Sequence, residues 1–337
     1  MKIITLLLCL LCFNFSFSQD DINDLVKQGI TYHDAGDYDK AIATYKEALK
    51  IDSKSSLVNY ELSLSYFYNK DFKNAIKHSD VVIDNDKEHV KAAYITKGSS
   101  LDNLGKIKES IKLFKKGIKK FKTEGLLYYN LALNYYKLKD FDEAEEVITQ
   151  GITQDQSHAS SHLMLGYLNY DKNKRAQSLL NLHYFLLLEP ATARSQQAAG
   201  LIQTMMSSNV NKDDEKPNTI NISLSLPDED DEFSAAELMI SMLEASKSLE
   251  ENEGKSEDEL FIENTDSFFT ILGELKDKKS KGIYWDVYVN FFYKLAKSDH
   301  MPAYCYYVMQ SVNKNSQTWL DSNTDALDAF DQWLQNN

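Results

Sequence analysis

The chain has 337 residues, 43% hydrophobic and 26% charged, which is enough apolar material for two packed domains. Its 51 acidic residues outnumber 37 basic ones, for a formal net charge of −14. Taken as a whole, such a surface repels nucleic acid and anionic lipid, both of which need clustered positive charge.

The opening "MKIITLLLCLLCFNFSFSQ" carries one lysine, an apolar run from Ile3 to Phe13, and Ser16 and Ser18 at the spacing a signal peptidase requires. Residues 1–18 therefore read as a cleaved export signal ending at Ser18, which places the mature chain in the periplasm or elsewhere in the cell envelope. The apolar run falls short of the about 20 residues of a membrane span. Leu8 precedes Cys9 and Leu11 precedes Cys12, where a bacterial lipoprotein would carry a small residue, so a lipid anchor is not expected. Cleavage removes Lys2, leaving 36 basic against 51 acidic residues, a charge of −15. It also leaves Cys305 as the one cysteine, so no intrachain disulfide is possible. Cys305 sits in "AYCYYVM" among large apolar neighbours and reads as a buried structural thiol.

An internal period follows. Small residues recur at Ala41, Ala75, Ser110, Ala144 and Ser178, in steps of 34, 35, 34 and 34 residues. A second register, Gly29, Ser63, Gly98, Ala132, Gly166 and Gly200, keeps the same stride. A third holds Tyr32, Tyr66, Leu101, Tyr135 and a polar Asn169; a fourth holds Tyr38, Phe72, Ile107, Phe141 and Arg175. Each unit reads as helix, short turn, helix, with turns at "AGDY", "NKDF", "LGKI", "LKDF" and "KNKR". Asp37, Asp71 and Asp140 stand where the second helix needs an N-cap. The small residues mark places where two helices approach closely, while aromatic residues fill the adjoining gaps.

A 34-residue helical pair with this pattern resembles the tetratricopeptide repeat. Units Ile22–Ser55 and Gly125–His158 carry the pattern best, and "LLLEP" supplies the unit-ending proline at Pro190. "ARSQQAAGLIQTMM" reads as a solvent-tolerant capping helix, so the array covers residues 22–208. The resemblance implies an all-α fold, a right-handed α–α superhelix whose first helices line a concave groove. On this chain the inward positions are Val26, Ile30 and His33; Tyr60, Leu64 and Phe67; Ile95 and Ser99; Tyr129, Leu133 and Tyr136; and Leu163, Tyr167 and Tyr170. Chaperone-binding members hold a C-terminal carboxylate with lysine and asparagine at some of these positions. Val26 and Ile30 stand there instead, so that clamp is not expected.

The second helix of the third unit, "KLFKKGIKKFK", crowds Lys112, Lys115, Lys116 and Lys119 with Lys120 and Lys122. It reads either as a solvated outer face or as a dock for an acidic partner or for the chain's own acidic linker. That linker, residues 209–232, is polar, acidic and proline-punctuated, and is expected to repel itself and stay extended. Its "DEDDE" lacks the glycine and glutamate of a calcium loop. Residues 233–337 read as a helical domain, from "FSAAELMISMLEASKSL" to "TWLDSNTDALDAFDQWLQ", with Pro302 near a helix start. The aromatic residues between Tyr284 and Tyr307 read as its core.

His158 and His162 are four apart, but "ASS" between them lacks a metalloprotease glutamate and the pair straddles two units. No phosphate-cradling glycine loop or nucleophile motif is present. No catalytic residue, metal site or cofactor is therefore expected. The sequence points to an exported, non-enzymatic interaction module for a protein or peptide partner. One alternative is glycan binding by exposed aromatic platforms, for which tryptophans on an open face would be the sign. Another is an activity in residues 233–337, for which a pocket of convergent polar groups would be the sign.

Overall fold

A computed structural model describes residues 19–85, 88–208, 210–212, 220–222 and 232–337. The expected export signal, residues 1–18, lies outside the described residues, as does most of the acidic segment. The fold is all-α, and the described residues form seventeen α-helices and one pair of three-residue strands. None of these helices is long and apolar enough to cross a membrane. The chain divides into two compact units, one ending at Lys122 and one beginning at Thr123. The division falls inside the repeat array, because the fifth repeat packs with the C-terminal helices and the fourth packs on the fifth.

The first unit stacks three helical pairs: α1 (Gln19–Asp34) with α2 (Tyr38–Ile51), α3 (Ser56–Tyr68) with α4 (Phe72–Asn85), and α5 (Val90–Asn103) with α6 (Ile107–Lys120). Each helix packs on the next, and first helices also meet first helices, α1 on α3 and α3 on α5. The small-residue registers lie at these crossings. Ala41, Ser63, Ala75 and Ser110 are fully buried. A Cβ on Gly29 would lie 2.3 Å from the Tyr45 ring, and one on Gly98 would lie 2.3 Å from the Phe114 ring. Ser110 Oγ donates to the Gly98 carbonyl at 2.8 Å, tying α6 to α5 where they are closest.

The turn inside each pair has one left-handed residue, at Gly36, Lys70, Gly105, Lys139 and Asn173, with φ of 76°, 63°, 73°, 60° and 57°. The next amide then closes a Schellman bond five residues back, onto the carbonyls of Tyr32, Tyr66, Leu101, Tyr135 and Asn169, at 2.8–3.0 Å. The third register thus caps the first helices as well as packing them. Asp37 and Asp71 cap the second helices, accepting from Lys40 N and Asn74 N at 3.2 Å. Asp140 departs from expectation: it occupies the N-cap position but makes no side-chain cap bond. Its carboxyl is engaged instead by Glu143, whose pKa that contact raises.

The second unit continues with α7 (Gly125–Lys137), α8 (Phe141–Gln154), α9 (Ala159–Asp171), α10 (Arg175–Leu188) and α11 (Ala193–Ser207). Val210–Lys212 (β1) and Ile220–Ile222 (β2), within the segment expected to stay extended, pair antiparallel with Val210 opposite Ile222. Apolar Val210, Ile220 and Ile222 on strands that pack against α12 account for the pairing. The C-terminal helices are α12 (Ser234–Ser246), α13 (Glu257–Leu275), α14 (Asn290–Ala296), α15 (Met301–Val308), α16 (Ser316–Ser322) and α17 (Thr324–Gln335). A capping box between Ser256 and Glu259 starts α13, and Pro302 sits in the first turn of α15. A π-helical turn, Tyr284–Val289, precedes α14. The last sequence segment is two helices broken at Asn323. Trp285, Tyr288, Phe292, Tyr304 and Cys305 are buried in this part of the core, and burial pushes the Cys305 thiol pKa up.

Candidate functional site

The inward positions follow a four-then-three spacing along each first helix, which puts them on one face. They form two sets, one in each unit. In the first, Val26 is buried with Ile22 and Leu62 and belongs to the core, while Ile30, Leu64, Ile95 and Ser99 are half-buried. His33 Nδ1 pairs with Ser65 Oγ at 2.8 Å, and its ring meets Tyr38 and Tyr68 edge-on at 5.2 and 5.3 Å. Burial lowers the His33 pKa, against the opposing pull of Asp34. Phe67 packs edge-on against Tyr68 and Phe72, and Tyr68 is 51% exposed. Tyr60 stacks flat on His89, rings 4.8 Å apart. Tyr38 and Phe72 stood in a register and were legible as packing residues; His89 and His158 also share a register, two strides apart, that the sequence reading did not use, whereas Tyr68 carried no repeating signal.

In the second unit α7 lies on α9 and brings six predicted residues together. Tyr129, Leu133, Tyr136 and Tyr167 are half-buried, Tyr170 is 45% exposed, and Leu163 lies beneath them at 8%. Tyr129 meets His158 edge-on at 5.4 Å, the counterpart of Tyr60 on His89. The Tyr136 hydroxyl donates to Asp171 Oδ2 at 2.9 Å. Burial, and for Tyr136 also Asp171, raises the pKa of Tyr136 and Tyr167, so both keep their hydroxyl protons.

Sequence reasoning missed Arg194, the cation at the α11 end of this face. Its Nη1 donates to Ser160 Oγ at 2.9 Å and its Nε to Glu189 Oε1 at 3.0 Å, and its guanidinium lies 5.5 Å over the Phe185 ring. Tyr129 and Tyr167 are near enough to raise its pKa, after the larger effect of Glu189. The face therefore offers tyrosine rings, neutral hydroxyls and one guanidinium, groups that supply contact area and hydrogen bonds.

Lys112, Lys115, Lys116 and Lys119 are all exposed on the outer face of α6, opposite buried Ser110, Phe114 and Gly117. His158 and His162 do not converge. His158 stands at the N-cap position of α9 without a side-chain cap bond and pairs with Ser161 Oγ at 2.7 Å, whereas His162 is fully buried. His162 Nε2 donates to the Gln156 carbonyl at 2.9 Å, so Nδ1 accepts from the Tyr288 hydroxyl at 2.7 Å.

That bond belongs to the seam where C-terminal helices dock on the fifth repeat. His183 Nδ1 meets the Tyr304 hydroxyl at 2.9 Å, and Asn169 Nδ2 donates to the Tyr284 hydroxyl at 2.8 Å. Arg175 Nε donates to Glu237 Oε2 at 3.1 Å, and its other nitrogens reach Ser241 Oγ and Ser208 Oγ. Asn169 and Arg175 are the two polar breaks in the aromatic registers, and both breaks mark this seam. None of the three tryptophans is exposed: Trp285 is buried against Phe233, Trp319 stacks on Tyr306, and Trp333 packs on Phe291. A cleft of about 480 Å³ is lined by Phe261, Met309 and Asp258, but the Asp258 carboxylate already accepts from Asn313 and Asn315. Among the described residues no three potential metal ligands cluster.

Tetratricopeptide-repeat family models match residues 29–77, 92–119 and 126–158. Solved structures similar to the chain include MamA from Desulfovibrio magneticus RS-1, at 18% identity and a TM-score of 0.43, covering 50% of this chain and 96% of that one. PilF of Pseudomonas aeruginosa is 15% identical with a TM-score of 0.46, covering 54% and 84%. PilW, a type IV pilus biogenesis factor, is 17% identical with a TM-score of 0.46, covering 56% and 88%. No curated protein matches the chain.

Proposed function

Residues 29–77, 92–119 and 126–158 are tetratricopeptide repeats, and from that premise we propose that the chain is a non-enzymatic scaffold that binds an apolar or aromatic polypeptide segment. The first-helix face of α7 and α9 is the binding surface in this reading, with the matching face of α1, α3 and α5 as a second. One observation carries it. After the C-terminal helices have packed on α10 and α11, Tyr129, Tyr136, Tyr167 and Tyr170 still keep accessible ring surface. Tyrosine provides large contact area at low entropic cost and a hydroxyl to bond a backbone. The burial of Trp285 and the packing of Trp319 and Trp333 favour peptide over glycan, which would use open tryptophan platforms. The reading includes export by the first eighteen residues and action in the cell envelope. N-terminal sequencing of secreted protein beginning at Gln19 would support that location, and an intact Met1 in the cytoplasm would count against it.

The binding test uses a displayed random-peptide library and a glycan array against the full chain. Enrichment of aromatic peptides, lost in the Tyr129→Ala/Tyr136→Ala variant while far-ultraviolet circular dichroism is unchanged, supports the reading. Equal peptide capture by the variant, or selective glycan capture, overturns it.

A further inference from the structure

Helix α6 carries a charge pattern that no other second helix of the stack shares. Residues 106–122 hold eight lysines and one acidic residue, a local charge of +7 that leaves −21 for the rest of the chain. Lys108, Lys112, Lys115, Lys116, Lys119 and Lys120 are all exposed on the side of α6 opposite buried Ser110, Phe114 and Gly117. Glu109, the one acid here, lies 3.3 Å from Lys106, and among the described residues no carboxylate pairs with Lys108, Lys112, Lys116 or Lys119. On α2, by contrast, Lys40 is balanced by Asp37 at 2.7 Å and Lys50 by Glu47 at 2.6 Å. The outer face of α8 is acidic, with Asp142, Glu143 and Glu146 exposed. A basic outer face is therefore no requirement of the repeat. It also works against the helix, because Lys108 and Lys112, Lys112 and Lys116, Lys115 and Lys119, and Lys116 and Lys120 set like charges four residues apart.

We propose that this face of α6 docks an acidic tract of a partner polypeptide, a run of about five or six Asp or Glu residues. The helix from Lys108 to Lys119 is about 17 Å long, a span that about five extended residues match. The charges are all lysine. A compact ammonium on a flexible stem attracts any nearby carboxylate without fixing its orientation, whereas bidentate recognition of a planar group would use the arginine fork. Between Lys108 and Lys119 no aromatic or aliphatic residue is exposed, so nothing on this stretch stacks on a base or enters a bilayer. Size separates a short tract from a larger polyanion. A membrane or a duplex extends beyond the patch by more than the Debye length of about 8 Å, and there the acidic remainder of the chain repels it. A tract of five or six residues meets the lysines alone and relieves their mutual repulsion. Because the lysines stand on a second helix, the inference is independent of the first-helix groove.

The test is fluorescence anisotropy of labelled hexaglutamate with the full chain. Hexaglutamate should bind and hexaglutamine should not, and raising salt from about 50 to about 300 mM should weaken binding about tenfold. Lys112→Gln/Lys116→Gln/Lys119→Gln should weaken it by about tenfold or more, with circular dichroism unchanged. Lys73→Gln/Lys77→Gln, a pair exposed on α4, should change it less than about twofold. The chain's own acidic run is the competing occupant, so Asp228→Asn/Glu229→Gln/Asp230→Asn/Asp231→Asn should leave the affinity for hexaglutamate unchanged. No binding of hexaglutamate, equal capture of hexaglutamine, or an equal loss in the α4 variant would each overturn the proposal. So would tighter binding once residues 228–231 are neutralised, or preferential capture of phosphatidylserine–phosphatidylcholine vesicles or duplex DNA.

Discussion

Gly166 and Gly200 occupy the same register 34 residues apart, in the same compact unit, and should respond to alanine with opposite signs. At Gly200, inside α11, an added Cβ meets nothing within 4 Å, so Gly200→Ala gains the helix propensity of alanine, about 0.5–1 kcal/mol. At Gly166, inside α9, the same Cβ would lie 2.7 Å from Leu182 Cδ2 and 2.9 Å from Leu182 Cγ, where ordinary contact begins at 3.4 Å. Leu182 and Asn181 are fully buried, so relief requires α10 to back away by about 0.7 Å. That movement stretches the bond from Ser178 Oγ to the Gly166 carbonyl, now 2.8 Å. Overpacking of this kind costs about 1–3 kcal/mol against the same intrinsic gain. The two variants should therefore differ by about 1–3 kcal/mol, or roughly 2–10 °C in the calorimetric transition of a unit this size. Equal stabilisation by both substitutions would refute close approach as the reason for the small-residue registers.

Two further outcomes follow from the same geometry. Lys139→Gly, at φ 60°, should stabilise the second unit by about 1 kcal/mol in denaturant titration, because only glycine adopts the left-handed region without a Cβ penalty; Lys139→Ala should not. Acid should loosen the C-terminal seam. Burial holds His162 at a pKa of about 4 and His183 at about 3, both below the 6.5 of an unfolded histidine. Below pH 6.5 the unfolded chain therefore binds more protons than the folded one, and stability falls as pH drops toward those depressed values. At pH 5 the loss is about 2 kcal/mol per histidine. Denaturant midpoints for His162→Gln/His183→Gln should lack most of that slope between pH 6.5 and 4, and an unchanged slope would show that the seam does not titrate.

The sequence displayed the repeat because close helix approach tolerates only short side chains, a requirement that recurs visibly at Gly29, Gly98 and Gly166. It displayed the left-handed turn only at Gly36 and Gly105, since Lys70 and Lys139 occupy the same backbone state behind an unremarkable side chain. Asp140 misled because capping depends on where the carboxyl points, and Glu143 competes for it. The inward tyrosines were named only from the positions that the repeat resemblance implies. Arg194 was not, because its neighbours Ser160 and Glu189 sit on other elements of the stack. Asn169 and Arg175 were visible as departures, but their partners Tyr284 and Glu237 are 115 and 62 residues away, beyond any local pattern.

Those departures mark where the fifth repeat meets the C-terminal helices. Helix α10 is buried without interruption from Ala176 to His183, whereas α6 and α8 alternate buried and exposed residues. A helix that is buried all round needs cover on every side, and the C-terminal helices supply it. Their tyrosine hydroxyls meet Asn169 Nδ2, His162 Nδ1 and His183 Nδ1, partnering buried polar atoms that cost about 1–3 kcal/mol each when left unpaired. Each such bond also fixes the register of the docked helices, since a shift by one residue would orphan a buried donor. The second-helix side of the fifth repeat is thereby committed to the chain's own C-terminal part. The proposed binding surface rests on the other, first-helix side, where Tyr129 packs on His158 and Tyr136 on Phe141 and both stay only half-buried.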